Sequence, residues 1–402
     1  MKILIVSQYF YPENFRVNDI AFDLAKKGHV VTVLTGKPNY PKGRFHDGYN
    51  FLNKGEEIIN GVHIIRTPIF PRLDGSAKFL ILNYLSFCFF SLFSILFRIK
   101  GDFDVIFSHL PSPLTSALPG IWLKKKFKVP LVMWVLDLWP ESVSANSSIK
   151  KGFLYERIKG LVQYIYNNSD KILVSSNSFK TSIIENFSIN CKKVDFFPNW
   201  AEDVFLESKP TEETPCFPDG FNIVFAGNIG DSQDFENILK AVELTKGKGI
   251  NWIIIGEGRK LKWVKKEATH KELDNLFLLG RYPIERMPGF FNKADAMLVA
   301  LKNEPTFSLT IPAKIQAYMA SSKIIVAMLN GEGNELIKKS RAGVSVRAGD
   351  YVSLANEVVR LQGISKEERE MMEKKSKEYY DRYFNKKKLF LQLQEVLNYS
   401  ES

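Results

Sequence analysis

The stretch Phe221-Asn222-Ile223-Val224-Phe225-Ala226-Gly227-Asn228-Ile229-Gly230 decides the fold. An apolar, β-prone run ends in two glycines, and a helical pattern follows from Phe235. Strand, glycine turn and helix in that order turn backbone N–H groups toward a phosphate in α/β domains. A similar strand opens the chain, Met1-Lys2-Ile3-Leu4-Ile5-Val6-Ser7. Two such starts predict two Rossmann-like α/β domains facing each other across a cleft.

Outward from these starts, strands alternate with helical patterns. In the first half the strands are Ile3–Ser7, Val30–Thr35, Val62–Arg66, Val105–Ser108, Leu131–Leu136, Lys171–Ser175 and Val194–Phe197. In the second half they are Asn222–Ala226, Trp252–Gly256, Leu276–Leu279, Ala296–Ala300 and Ile324–Ala327. Such alternation means parallel sheets, with ligands at the carboxyl ends of the strands. Asn18 is the expected cap of a first helix running to Lys27. Residues 201–219 are polar and carry Pro210, Pro215 and Pro218, so they read as a linker. The expected division is a domain over 1–200, the linker, a second domain over 220–375, and a C-terminal helix over 376–402.

The 402 residues suffice for two domains, and 45% apolar with 25% charged residues is a globular balance. Cys88, Cys191 and Cys216 show no metal-ligand spacing, and their odd, sparse number fits a reducing compartment. No secretory signal pattern opens the chain. The net charge of +11 raises nucleic acid or an anionic membrane as a partner. No helix-turn-helix, zinc-finger or aromatic RNA-binding signature accompanies it, so nucleic acid is not expected. The excess gathers around one segment, at Arg98, Lys100, Lys124, Lys125, Lys126, Lys128, Lys150 and Lys151.

That segment, Phe79 to Phe97, holds no charged residue. Its length falls within the roughly 17–25 residues of a spanning helix. Spanning would put the first strand and the strand at Val105 on opposite sides of a membrane. The preferred expectation is a helix packed on its own domain with its outer face in an anionic lipid surface. A plain core helix is the alternative.

Several strand ends carry groups suited to chemistry. Gly227, Asn228 and Gly230 offer close backbone approach. Arg259 follows a second glycine-ended strand and Arg281-Tyr282 a third, so the three ends can line an anion pocket. Pro312 at the first position of a helix puts Lys314 near its N-terminus, where an ammonium and the helix end together suit a diphosphate. In the first half, Leu136-Asp137-Leu138-Trp139-Pro140-Glu141 follows a strand. Asp137 can accept a proton from a sugar hydroxyl, and Trp139 can stack on a sugar ring. His109 and Arg16 stand after two further strands. Each residue also has a plain structural reading: cap, core filler or solvated surface.

Together these residues resemble the family 4 glycosyltransferases of GT-B fold, over nearly the whole chain. The resemblance is carried by QYFYPE, WVLDLWPES, FFPNW, FAGNIG, IIIGEGR, LGRYPIERMP and IPAKIQAYMA. The forms QYFYPENFRVND and TGKPNYPKG look most like transferases of N-acetyl-L-fucosamine in O-antigen and capsule assembly. The resemblance implies a UDP-sugar donor on the C-terminal domain, held by Gly227, Asn228, Gly230, Arg259, Arg281, Tyr282, Lys314 and Gln316. It implies an undecaprenyl-diphosphate-linked glycan acceptor on the N-terminal domain, met by Arg16, His109, Trp139 and Glu141. It also implies a cytoplasmic enzyme on the inner membrane face, with no cofactor or metal. Asp137 and Lys314 are the expected catalytic groups.

The chain departs from the family pattern. Phe15-Arg16 stand where relatives often carry Gly-Gly, and Asn228 and Asp234 where they carry Arg and Lys. The family's paired glutamates fall on Leu309 and Ala317. Both carboxylates are missing, which favours a silent sugar-nucleotide-binding protein as the alternative. A nicotinamide enzyme is a weaker reading, since Tyr318 is not followed by Lys at the fourth position.

Overall fold

The structure is a computed structural model describing residues 1–146, 152–206 and 214–399. Part of the expected linker (207–213) and the basic pair Lys150 and Lys151 lie outside the described residues. The chain divides into two compact units, Met1–Phe197 with Phe390–Ser402, and Pro198–Leu389.

The first unit is built on eight strands: β1 (Lys2–Ser7), β2 (Val30–Gly36), β3 (Glu56–Ile59), β4 (Val62–Thr67), β5 (Val105–Leu110), β6 (Leu131–Val135), β7 (Lys171–Val174) and β8 (Val194–Phe196). Their order across the sheet is β3-β4-β2-β1-β5-β6-β7-β8. All pairings are parallel except that of β3 with β4. β1, β5 and β6 are almost wholly buried, as strands covered by helices on both faces must be. β3 was not expected from the sequence; it is a short edge strand, half-exposed and acidic, with no apolar run to mark it.

The second unit has six strands: β9 (Phe221–Ala226), β10 (Ile250–Ile255), β11 (Leu276–Gly280), β12 (Ala296–Ala300), β13 (Ile325–Met328) and β14 (Gly343–Val346). Their order is β11-β10-β9-β12-β13-β14, all parallel. Counted from its own first strand this is 3-2-1-4-5-6, the dinucleotide-binding order. The strand order reverses between β9 and β12, and in the first unit between β1 and β5. Those reversals open a crevice at the carboxyl ends of the strands. The core of the second unit runs through Ile223, Phe225, Trp252, Ile254, Leu298 and Val326, closed by Leu354, Val358 and Leu361.

Helix α1 (Arg16–Lys26) starts earlier than expected, and Phe15 rather than Asn18 stands at its cap. Asn18 instead ties down the preceding loop. Its Oδ1 accepts from Tyr11 N at 3.0 Å and its Nδ2 donates to Glu13 O at 2.7 Å.

Helix α2 (Ala77–Phe97) is inverted with respect to an ordinary surface helix. Asn83, Ser86, Ser91 and Ser94 face the protein, while Ile81, Leu85 and Phe89 are 56%, 58% and 58% exposed. Asn83 accounts for much of the attachment. It accepts from Gln8 Nε2 at 2.7 Å and donates to Phe70 O at 2.6 Å. Ser86 Oγ accepts from Phe70 N at 3.0 Å. Lys126, in helix α3 (Leu118–Phe127), caps the far end through the Ile95 and Ile99 carbonyls. β4 and β5 flank α2 in sequence and share one sheet. Were α2 to cross a bilayer, they would stand on opposite sides of it.

Much of the expected basic cluster is engaged within the unit. Arg98 pairs with Glu56 at 3.2 Å, Lys124 with Asp170 at 2.6 Å, and Lys125 reaches the Tyr164 hydroxyl at 3.1 Å. Lys78, Lys100 and Lys128 remain exposed. The last helix, Lys386–Tyr399, begins in the second unit and ends in the first. There Gln392 Nε2 donates to Phe196 O at 3.0 Å.

Candidate functional site

In the second unit, the loops after β9, β10 and β11 are laced to one another. Gly227 N donates to Ile255 O at 2.8 Å, Ile229 N to Glu257 O at 2.8 Å, and Gly256 N to Gly280 O at 2.7 Å. Gly230 N donates to Gln233 Oε1 at 3.1 Å. This corrects the expectation that the Gly227–Gly230 amides face a ligand, since the N–H groups of Gly227, Ile229 and Gly230 are spent on the protein. The glycines serve that lacing. At Gly256, with φ +152°, an added Cβ would lie 1.8 Å from Gly227 O.

The arginines do not converge either. Arg259 is 90% exposed and meets Asp231 at 3.6 Å, and Arg281 is exposed. Tyr282 packs on Phe290 at 4.7 Å under the Arg286 guanidinium. Gln316 is buried, and with its amide oriented so that nitrogen donates to the Pro312 and Ala313 carbonyls it is spent inside its own helix.

What remains at the reversal between β9 and β12 is Lys314. Pro312 caps the helix Ala313–Ala320 rather than opening it, which puts Lys314 at its second position. Tyr318 pins this helix to the strand end, its hydroxyl accepting from Ala226 N at 3.3 Å. Lys314 thereby lies over Gly227, where any Cβ would come within 2.7 Å of its Cε. Its Nζ stands 3.4 Å from the centre of the Phe225 ring. The residue as a whole is half-buried, but Nζ itself is sealed and has no hydrogen-bond partner among the described residues. Burial pulls its pKa down to about 7. A sealed, unpartnered ammonium beside a helix N-terminus is short of an oxyanion.

The first unit presents a different arrangement. Asp137 follows β6, and burial raises its pKa against the pull of Ser142, Ser112 and Trp139, with Glu141 adding to the rise. Ser112 holds φ +149°, a backbone position that costs energy for any side chain but glycine. Tyr84, half-buried on α2, feels the charges of Arg72 and Asp137.

His109 lies within β5, not after it, and is not an open acceptor contact; it is 1% exposed, and burial drives its pKa down to about 3, so the ring is neutral. Ser7 Oγ donates to Tyr9 O at 2.6 Å, so it accepts from His109 Nδ1–H at 2.9 Å. That bond ties β5 to β1. Trp139 and Glu141 are half-buried beside Asp137, and Arg16 is half-buried at the first position of α1.

Sequence reading missed Glu13, Arg72 and Tyr84. Glu13 is buried, its pKa pushed up to about 7 by burial despite three backbone N–H bonds. Oε1 accepts from Asn39 N at 2.8 Å and Tyr40 N at 2.7 Å, and Oε2 from Phe10 N at 3.3 Å. One carboxylate therefore joins the loops after β1 and β2. The signal was Glu13 itself, the one carboxylate within the motifs QYFYPEN and KPNYP.

Comparison with known proteins matches these two halves separately. Residues 15–203 match the model "Glycosyltransferase Family 4", and residues 220–363 match "Glycosyl transferases group 1". Both halves thus match glycosyltransferase models, and the fold is that of the GT-B glycosyltransferases. A probable glycosyltransferase, WbjE, of Pseudomonas aeruginosa is 29% identical over 63% of this chain and 64% of its own length. The putative colanic acid biosynthesis glycosyl transferase WcaI of Escherichia coli is 24% identical over 80% and 81%. Among solved structures, sucrose-phosphate synthase from Thermosynechococcus elongatus superposes with a TM-score of 0.74 at 15% identity, covering 99% of this chain and 98% of that one. Anabaena HepE, solved with UDP and glucose, gives 0.64 at 15%, covering 99% of each chain. At such identities the structures establish the fold alone.

Proposed function

We propose that this protein transfers a sugar from a UDP-sugar, held on the second unit, to a lipid-linked glycan held on the first. The acceptor hydroxyl oxygen bonds to the anomeric carbon as the bond from that carbon to the diphosphate breaks. The electron pair leaves with UDP, and the hydroxyl proton passes to Asp137. Lys314 carries the reading: its unpartnered ammonium sits where the strand order reverses, and the leaving diphosphate supplies the charge it lacks. Asp137, kept basic by burial and flanked by a serine and an indole, suits the acceptor hydroxyl.

The biological setting we infer is bacterial surface polysaccharide, O-antigen or capsule, with N-acetyl-L-fucosamine as the sugar transferred. The putative colanic acid biosynthesis role of WcaI and the QYFYPENFRVND and TGKPNYPKG forms support this. The inverted helix α2 supports an acceptor at the inner face of the cell membrane, its apolar side lying in the lipid interface beside exposed lysines. Flotation with anionic vesicles tests the membrane reading, and protein left in the pellet at low salt refutes it.

One observation favours a second reading, a non-catalytic sugar-nucleotide-binding protein: Leu309 and Ala317 occupy the places of the paired glutamates. Incubating labelled UDP-N-acetyl-L-fucosamine with bacterial membranes and the protein separates the two. Label moving into lipid supports transfer. UDP binding without transfer or hydrolysis, across a panel of UDP-sugars, supports the second reading.

A further inference from the structure

Arg72 lies in the segment between β4 and α2. Its backbone N–H donates to Asn39 Oδ1 at 3.3 Å, and its guanidinium lies 5.3 Å from the Tyr40 ring centre and 5.9 Å from that of Tyr9. Those rings belong to a compact aromatic group, with Tyr9 stacked on Phe15 at 4.9 Å and Phe15 against Tyr40 at 5.4 Å. The charge of the Arg72 guanidinium also acts on the half-buried Tyr84 hydroxyl. Arg66 pairs with Glu57 and Arg98 with Glu56, whereas Arg44 and Arg157 show no carboxylate ion pair among the described residues. Among the described residues Arg72 has no such ion pair.

A guanidinium held over two rings is partly ordered, so less rotamer entropy is lost when it binds. Its planar fork matches the oxygens of a phosphate. The adjoining loop adds Lys42 and Arg44 around a recess of about 320 Å³, joined to the Arg72 segment by the Leu73 N–H to Gly43 O bond of 2.7 Å. Tyr84 is the pivot of the arrangement. It feels the charges of Arg72 and Asp137, and it stands on the helix whose opposite face is apolar.

We propose that Arg72, held over the Tyr9 and Tyr40 rings beside Tyr84, binds the diphosphate of a lipid-linked sugar acceptor and so sets that sugar at Asp137. The prenyl chain lies along the apolar face of α2, so the helix reads both head and tail of one molecule. This inference rests on the acceptor assignment made for the first unit, and its test does not require turnover.

Geranyl diphosphate is titrated by calorimetry into protein saturated with UDP, so that the Lys314 site is already filled. The wild type binds. Arg72→Gln weakens binding about tenfold or more, as loss of a bidentate charged contact does, and Tyr84→Phe weakens it by a few-fold. Near-ultraviolet circular dichroism checks the fold of Arg72→Gln, and Tyr84→Phe carries the test should that variant misfold. Equal affinity in wild type and variants overturns the proposal, as does no binding by the wild type. Vesicles of plain anionic phospholipid separate the other source of phosphate. If Arg72→Gln loses these vesicles as strongly as geranyl diphosphate, the arginine serves the membrane surface and the proposal fails. If geranyl diphosphate binds through Arg72 but no sugar is transferred, the transferase reading fails and this one stands.

Discussion

The two units use the same architecture to hold charge in opposite ways. At the end of β6, Asp137 has polar groups about it that favour its charged form: two serines and an indole. At the end of β9, Lys314 has an aromatic ring, a glycine and no hydrogen-bond partner among the described residues. A site whose polar groups are mutually satisfied is organised before its ligand arrives. A site with a stranded charge is held at a cost that the ligand removes. The first arrangement suits a hydroxyl that needs a base in a fixed place, and the second suits a leaving group that brings charge of its own.

The sharpest way to break that contrast is Asp137→Asn. We expect transfer to fall about 10²–10⁴-fold, the usual worth of a general base, with UDP affinity unchanged. Because burial raises the Asp137 pKa, wild-type turnover should fall toward acid pH as the carboxyl protonates. Turnover near the wild-type level in the variant removes Asp137 as the base.

Lys314→Met should weaken UDP binding about 10–100-fold, or roughly 1.4–2.8 kcal/mol, while raising the melting temperature. The sign follows from linkage. The native pKa of about 7 lies below the ordinary lysine value of 10.5. The unfolded chain then binds more protons between those values, so wild-type stability rises with pH across that window. The gain in the variant should be largest below pH 7. A variant that melts lower at pH 6 contradicts the stranded-charge picture.

A smaller effect separates the two groups by titration. UDP affinity in the wild type should decline above pH 7, by at most about tenfold per unit, as Lys314 loses its proton. Lys314→Arg should flatten that decline. The smallest expected change is on α2. Phe89→Ser should cut partition onto anionic vesicles several-fold, following the apolar area removed, and leave UDP binding and the melting temperature alone.

The strands of both sheets were legible because parallel strands buried on both faces read as unbroken apolar runs, as Ile3–Val6 and Ile253–Ile255 do. β14 was not, being four half-buried residues without such a run. The candidate site was legible in residue type more than in direction. Gly227 and Gly230 stood where phosphate-binding glycines stand, but sequence does not say whether an N–H faces a ligand or the next loop. Here it is the next loop for Gly227 and Ile229. Arg259 failed for a similar reason, since a residue just past a strand can swing either way.

Lys314 was placed one position too deep in its helix, because Pro312 caps it. Arg72 and Tyr84 went unnoticed because one lies in a loop and the other inside an apolar run. The inverted character of α2 could have been seen: Asn83, Ser86, Ser91 and Ser94 fall on one side of a helix at 3.6 residues per turn.

The last helix has a consequence for how this protein is made. The first unit is interrupted by the whole of the second and is completed by residues 390–402. During synthesis its opening strand must wait for nearly the entire chain to leave the ribosome before its final piece can dock. The second unit, being continuous, can fold ahead of it. A stop codon shortly before Phe390 would therefore injure the first unit, although the lesion maps next to the second in the gene.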